Sequence, residues 1–157
     1  MFYSCSSLEA VSLPEGLRSI GYSAFYKCES LKNIRLPSGL ETIEARCFEH
    51  SGLGEIVLPV STRKVGPHAF CGCNNLKTVQ LNEELDKLGE KETVDGEEYE
   101  GGTFADSAIE SVRLPSALKR IEAETFRDCK KPRSIEIQSG VEYIGRKCFS
   151  STAIEKI

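Results

Sequence analysis

The sequence predicts a mostly β solenoid, with short coils stacked so that their strands run parallel. Three observations lead there. One phrase recurs: L-E-A-V-S-L-P-E-G-L-R-S-I at residues 8–20 returns as L-K-N-I-R-L-P-S-G-L-E-T-I at residues 31–43. All seven Phe residues (Phe2, Phe25, Phe48, Phe70, Phe104, Phe126 and Phe149) fall in one slot of that repeat. The repeating unit is also too short to cover its own apolar side chains, so neighbouring units must stack to bury them.

The working pattern is L-x-x-I-x-L-P-x-G-L-x-x-I-G-x-x-A-F-x-x-C-x-x. Its units occupy residues 8–30, 31–52, 53–75, 76–108, 109–131 and 132–153, with partial units at both ends, and residues 1–157 read as one domain. Within the first phrase, L-x-x-I-x-L, the last residues alternate inward and outward as a strand does. Val11 and Leu13 point in, and Ser12 points out. Pro14 ends the strand because it cannot donate to a ladder. Gly16, Gly39 and Gly140 take the next turn, where glycine tolerates positive φ or close approach. A second extended piece ends at Ile20, Ile43, Val65, Leu88, Ile121 or Ile144. The A-F-x-x-C stretch then closes each coil by a tight turn or a single helical turn, being too short for a stable helix. Stacking sets like residues in columns, such as Leu8, Leu31, Leu53, Leu76 and Ile109. At the parallel-strand spacing, six coils give a rod of roughly 30 Å.

The closing turn comes in two versions. After Phe2, Phe25, Phe70 and Phe126 the next unit starts six residues on, and a Cys stands three residues after the Phe. After Phe48, Phe104 and Phe149 it starts five residues on, and Ser or Thr replaces the Cys. Cys5, Cys28, Cys73 and Cys129 thus share a repeat slot, and Cys47 and Cys148 fill the small-residue slot just before Phe. Buried small thiols are the expectation for both slots. Seven cysteines, an odd number, exclude a fully paired intramolecular framework. Cys71 lies outside the slots and is expected as a free exposed thiol. His68, Cys71 and Cys73 sit in H-A-F-C-G-C, but a structural zinc needs four ligands and Phe70 has a core role, so no metal site is read there. His50 has no acid or nucleophile at catalytic spacing.

Charge narrows the function. The formal net charge is -4, and residues 90–100, E-K-E-T-V-D-G-E-E-Y-E, hold six acids and one lysine. The rest is near neutral, so no basic field suits a phosphate backbone and nucleic acid is not an expected partner. No apolar run approaches a membrane-spanning length, so no membrane insertion is expected. No phosphate-binding, zinc-protease or nucleophile-elbow motif occurs. No catalytic residue, cofactor or metal is assigned, and the chain does not read as an enzyme.

The repeat resembles the BspA-like, or Treponema pallidum type, leucine-rich repeat. LRSIGYSAFYKC at residues 17–28 and RKVGPHAFCGC at residues 63–73 carry the I-G-x-x-A-F core that ordinary leucine-rich repeats lack, and Leu58-Pro59 and Leu114-Pro115 carry the strand exit. The resemblance runs from Phe2 to Ile157. It implies an α/β leucine-rich repeat solenoid, mostly β: a right-handed curved superhelix with a parallel sheet on its concave face. It also implies a non-catalytic, adhesin-like interaction module of a cell-surface or secreted protein, with a host extracellular or matrix protein as partner. A structural spacer within a larger surface protein is the other reading. Departures are local: the long fourth unit, Thr62 where Leu17 and Leu40 stand, and Pro132 for the leading Leu. Neither end carries an obvious polar cap. A cut from a longer protein accounts for that, and uncapped coils also offer a route to end-to-end self-association.

Two surfaces are candidates. The outward slots of the first phrase hold Asn33, Arg35, Glu55, Val57, Thr78, Gln80, Ser111, Arg113, Ser134 and Glu136. This face is polar, mixed in charge and poor in aromatic anchors. The insertion, residues 90–102, breaks the period, and insertions in repeats map to loops that often bind. It is expected as a flexible acidic loop carrying Glu90, Glu92, Asp95, Glu97, Glu98 and Glu100, suited to a basic partner. Its D-G-E-E does not match a full calcium loop.

Overall fold

The second phrase of the repeat, more than the first, ties the coils together. The computed structural model describes residues 2–156. In chain order its strands are β1 (Ser19–Ile20), β2 (Thr42–Ile43), β3 (Glu55–Val57), β4 (Lys64–Val65), β5 (Thr78–Gln80), β6 (Lys87–Leu88), β7 (Glu92–Val94), β8 (Glu97–Tyr99), β9 (Arg120–Ile121) and β10 (Tyr143–Ile144). A parallel sheet runs β1-β2-β4-β6, and β9 pairs with β10 in the same sense. Its register puts Ile20 beside Ile43, Ile43 beside Val65 and Val65 beside Leu88. That is the predicted apolar column, and these four side chains are buried.

The first phrase makes a thinner ladder. β3 and β5 pair in parallel, and single bridges join Thr78 to Ser111, Arg113 to Glu136 and Ser134 to Lys156. Strand pairing was expected in every unit. In the first two units, residues 8–13 and 31–36 instead run without regular pairing. Their side chains still pack inward: Leu31 and Leu36 are buried in the same core as Ile56 and Leu58, and Leu8, Val11 and Leu13 of the first unit lie partly buried against it. Packing, not a continuous ladder, holds this face there. Gly16, Gly39 and Gly140 do not adopt positive φ.

The closing turn is a tight turn with no helical segment. It uses two left-handed residues, one two places before Phe and one two places after: Ser23 and Lys27 around Phe25, Arg46 and His50 around Phe48, Glu124 and Asp128 around Phe126. A right-handed helix cannot contain them. The flips serve hydrogen bonding. Ser23, Phe25 and Lys27 donate their N–H groups to Ala45, Cys47 and Glu49 of the next coil at 3.1, 2.8 and 2.9 Å. The intervening Ala24, Tyr26 and Cys28 donate three residues back within the turn. Every amide is thereby satisfied, half along the solenoid axis and half locally.

Inside this turn stack the seven Phe rings form one column. Centroids of successive rings lie 5.3 to 5.8 Å apart with planes within 20°. Offset aromatic pairs add about 0.5–1.5 kcal/mol each beyond area burial. Glycine is required where one coil crosses close to the last: a Cβ on Gly145 would stand 2.3 Å from Ala123 N. Among the described residues no helix is long and apolar enough to cross a membrane.

Candidate interaction surfaces

The ten outward residues of the first phrase, Asn33 to Glu136, are all exposed and share one face. The ladder brings Glu55, Thr78 and Ser111 side by side, then Val57 and Gln80, then Arg113 and Glu136. Two shallow depressions lie on it. One of about 430 Å³ sits between Asn33 and Arg35 on one coil and Glu55, Val57 and Pro59 on the next. The other, about 390 Å³, lies among Thr78, Gln80, Ser111, Arg113, Ser134 and Glu136. Val57 is the apolar feature of this face, 51% exposed. Arg113 is engaged, its Nη1 3.1 Å from Glu83 Oε1. The other Glu83 oxygen accepts the Ser116 N–H at 2.9 Å, and that bond, ahead of the Arg113 charge, holds its carboxyl below the usual range. Arg35 has no ion pair among the described residues, so it is the freer cation of the two.

The acidic insertion is an antiparallel hairpin, not a flexible loop. β7 and β8 pair Glu92 with Tyr99, Thr93 with Glu98 and Val94 with Glu97. Asp95 (φ 50°) and Gly96 (φ 84°) make the turn. Two positive φ values in a two-residue connection define the hairpin turn that Asp-Gly favours. The D-G dipeptide was therefore the sequence signal, and the surrounding acids obscured it.

The hairpin folds back over earlier coils. Glu92 Oε2 accepts the Ala45 N–H at 3.2 Å, and Glu92 Oε1 lies 3.0 Å from Lys64 Nζ. The Tyr99 and Tyr22 hydroxyls are 2.8 Å apart, and Tyr99 donates to Glu97 at 2.7 Å. These bonds, to Tyr22 and then Glu97, push the Tyr99 phenol up to about 12. The Arg46 guanidinium sits 4.9 Å from the Tyr26 ring centroid and 5.7 Å from that of Tyr99. Each such contact is worth about 0.5–1 kcal/mol near the surface.

Glu92 has a reason to be there. In the second coil Glu44 accepts the Tyr22 N–H of the first coil at 3.2 Å. The third coil has Gly66 where the second has Glu44, so Ala45 N–H would lack its carboxylate. The hairpin supplies one through the space the glycine leaves: a Cβ on Gly66 would stand 2.6 Å from Glu92 Oε1. The third coil then needs no further cap, because Pro67 follows Gly66 and has no N–H. Four of the six predicted acids are thus committed within the fold: Glu90 lies 4.0 Å from Lys87, Glu92 serves Ala45 and Lys64, Glu97 accepts from Tyr99, and Glu98 pairs with Lys91 at 2.6 Å. Asp95 and Glu100 make no such contact among the described residues. Sequence reading missed Tyr22, Arg46 and Lys64 as the dock because they lie in three different coils.

The cysteines and histidines resolve into packing roles. All seven thiols are free. Cys28, Cys73 and Cys129 are buried, and each donates its S–H to the Phe carbonyl of the preceding coil at 3.1 Å. Cys5 shares that slot but is exposed, because no described coil precedes its own. Cys71 is half-buried, and burial first, then the Glu49 charge, pushes its thiol up to about 12; it is not the exposed thiol expected. His50 and His68 rest on glycines of the next coil, where a Cβ on Gly72 or Gly102 would stand within 2.5 Å of the imidazole. Among the described residues no group of three His, Cys, Asp or Glu is placed to hold a metal ion.

The comparisons agree with this geometry. The BspA type Leucine rich repeat region matches residues 1–92 and 97–157 in six copies. A leucine-rich repeat protein from Bacteroides ovatus ATCC 8483 is 29% identical over 99% of this chain and 38% of its own, with a TM-score of 0.89. The T. pallidum leucine rich repeat protein is 33% identical over 92% of this chain and 63% of its own, with a TM-score of 0.79. A leucine rich cell surface protein from Faecalibacterium prausnitzii A2-165 is 27% identical over 99% of this chain and 42% of its own, with a TM-score of 0.64. The chain therefore spans less than two thirds of the length of each. No curated protein matches it. With the repeat, the parallel ladders and the Phe column in agreement, the chain belongs to the BspA type leucine-rich repeat family.

Proposed function

We propose that this solenoid is a non-catalytic, adhesin-like protein-binding module of a cell-surface or secreted protein, and that it meets its partner on the first-phrase face. The observation that carries this is the unbroken exposure of Asn33, Arg35, Glu55, Val57, Thr78, Gln80, Ser111, Arg113, Ser134 and Glu136 on one side of five stacked coils. Repeat solenoids use such extended surfaces for binding. The Faecalibacterium relative is named a cell surface protein, which supports the location. The I-G-x-x-A-F core and the likeness to the T. pallidum protein support reading the repeats as of the Treponema pallidum type.

The test is saturable binding to immobilised host extracellular matrix proteins, read by interferometry. Arg35→Glu with Val57→Asp should abolish binding while leaving the thermal melt unchanged. Loss only on deleting residues 90–100 would move the site to the hairpin, whose Asp95 and Glu100 would take a basic partner. Absence of any protein partner would favour the second reading, a spacer, which the greater length of the relatives supports. Phe2 and Tyr3 are 38% and 54% exposed on the first coil, and end-to-end association through them would appear as concentration-dependent sedimentation.

A further inference from the structure

The two lengths of closing turn leave a trace on the surface of the turn stack. Where two long turns adjoin, the Ser30 N–H donates to Ser6 O at 3.1 Å. Where a long turn follows a short one, the residue that would accept is missing, and the matching amides of Asn75 and Lys131 make no such bond. At their exits two of the short turns bond back to the coil before them, Gly52 N–H to Cys28 O at 3.1 Å and Ala108 N–H to Cys73 O at 3.3 Å. A notch opens at the short turn after Phe48 and at the one after Phe104. The first, about 440 Å³, is walled by Lys27, Glu29, His50, Ser51, Asn74 and Asn75. The second, about 200 Å³, is walled by Asn74, Asp106, Ser107, Asp128, Lys130 and Lys131. Asn74 lines both.

We propose that the two notches form one binding edge for a neutral polysaccharide. Their walls are amide, hydroxyl, carboxylate and ammonium groups with the His50 imidazole, and no aliphatic residue larger than Ala108 lines them. A protein partner would find no pocket for the aromatic or aliphatic anchor that carries such interfaces. Acids and bases balance: Lys27 stands against Glu29, and Asp106 and Asp128 against Lys130 and Lys131, with Lys130 Nζ already 3.0 Å from Asp128 Oδ1. A polyanion would meet as many carboxylates as cations. Sugar hydroxyls donate and accept at once, as do the Asn74 and Asn75 amides and the Ser51 and Ser107 hydroxyls. The notches lie two coils apart, about 10 Å at the parallel-strand spacing, so a chain of several sugar units spans both and Asn74 contacts it from either side. This edge is separate from the first-phrase face.

Native gels cast with soluble starch, laminarin or arabinoxylan test the proposal, with dextran sulfate as the acidic comparison. Retardation in at least one neutral gel is expected. Asn74→Ala should weaken it about tenfold, the worth of one or two hydrogen bonds. Inserting a serine between Ser51 and Gly52 rebuilds a long turn, closes the first notch and should weaken it as well, with the thermal melt of each variant reporting that it is folded. Arg35→Glu, on the other face, should leave retardation unchanged. No retardation in any neutral gel, retardation in dextran sulfate alone, or retardation indifferent to Asn74→Ala in a folded variant would each overturn it.

Discussion

His68 and Cys71 flank Phe70, and both are quietened by the coils around them. The Cys71 thiol, pushed up to about 12, holds almost no thiolate at neutral pH, and the thiolate is the reactive form. Cys5 is the exposed thiol instead. Ellman's reagent at pH 8 should therefore label Cys5 first and leave Cys71 at least about tenfold slower, and Cys5→Ser should remove the fast phase. His68 is held below its ordinary value, chiefly by burial. Its proton is then bound more readily by the unfolded chain, so the stability this histidine confers is fully present above its unfolded value, near 6.5, and is lost as pH falls through the lower folded value. The urea midpoint should drop between pH 7.5 and pH 5. His68→Asn, which tolerates the left-handed φ of 55°, should show a shallower drop. The buried slots of Cys28, Cys73 and Cys129 were legible because the repeat repeats them. The burial of Cys71 was not, because its cover comes from neighbouring coils and from no pattern of its own.

At the scale of the element, the hairpin is an insertion that repairs a missing repeat contact. Gly66 deprives the Ala45 amide of the acceptor that Glu44 gives to Tyr22, and Glu92 replaces it from outside the period. The sequence shows the insertion, its charge and its Asp-Gly turn. It cannot show the docking, since contacts to Tyr22, Arg46 and Lys64 depend on which way the ridge folds. Removing the carboxylate should cost about 1–3 kcal/mol, the penalty for leaving a largely buried amide unsatisfied. Glu92→Ala should lower stability by that amount and erase hydrogen-exchange protection at the Ala45 amide. Glu92→Gln keeps an acceptor oxygen and should cost less. Unchanged protection at Ala45 in Glu92→Ala would mean that the hairpin rests on the solenoid without capping it.

Across the whole molecule, stability is close to a sum over coils and their nearest-neighbour interfaces. The repeat made that architecture legible, because a Phe in the same slot of every unit has one economical solution, a single column of rings. Which of the two phrases would carry the longer ladder was not legible: both alternate, and both place apolar residues inward. The column makes position in the stack the quantity that decides a mutation's cost. Phe70 is fully buried between Phe48 and Phe104, with centroids 5.4 and 5.6 Å away. Phe2 is 38% exposed and has Phe25 as its one described ring neighbour. Phe70→Ala removes two ring contacts and leaves a cavity that flanking coils cannot fill without breaking their own ladders, so it should cost about 3–5 kcal/mol. Phe2→Ala removes one described ring contact from a partly exposed side chain and should cost well below that range. Urea unfolding of both variants, followed by far-ultraviolet dichroism and by tyrosine fluorescence, checks the pair. The tyrosines favour the first half through Tyr3, Tyr22 and Tyr26, so a break at Phe70 should separate the two transitions, while Phe2→Ala should leave them coincident. Equal costs for the two substitutions would show that the rings do not act as a column and that each coil is held by its ladders alone.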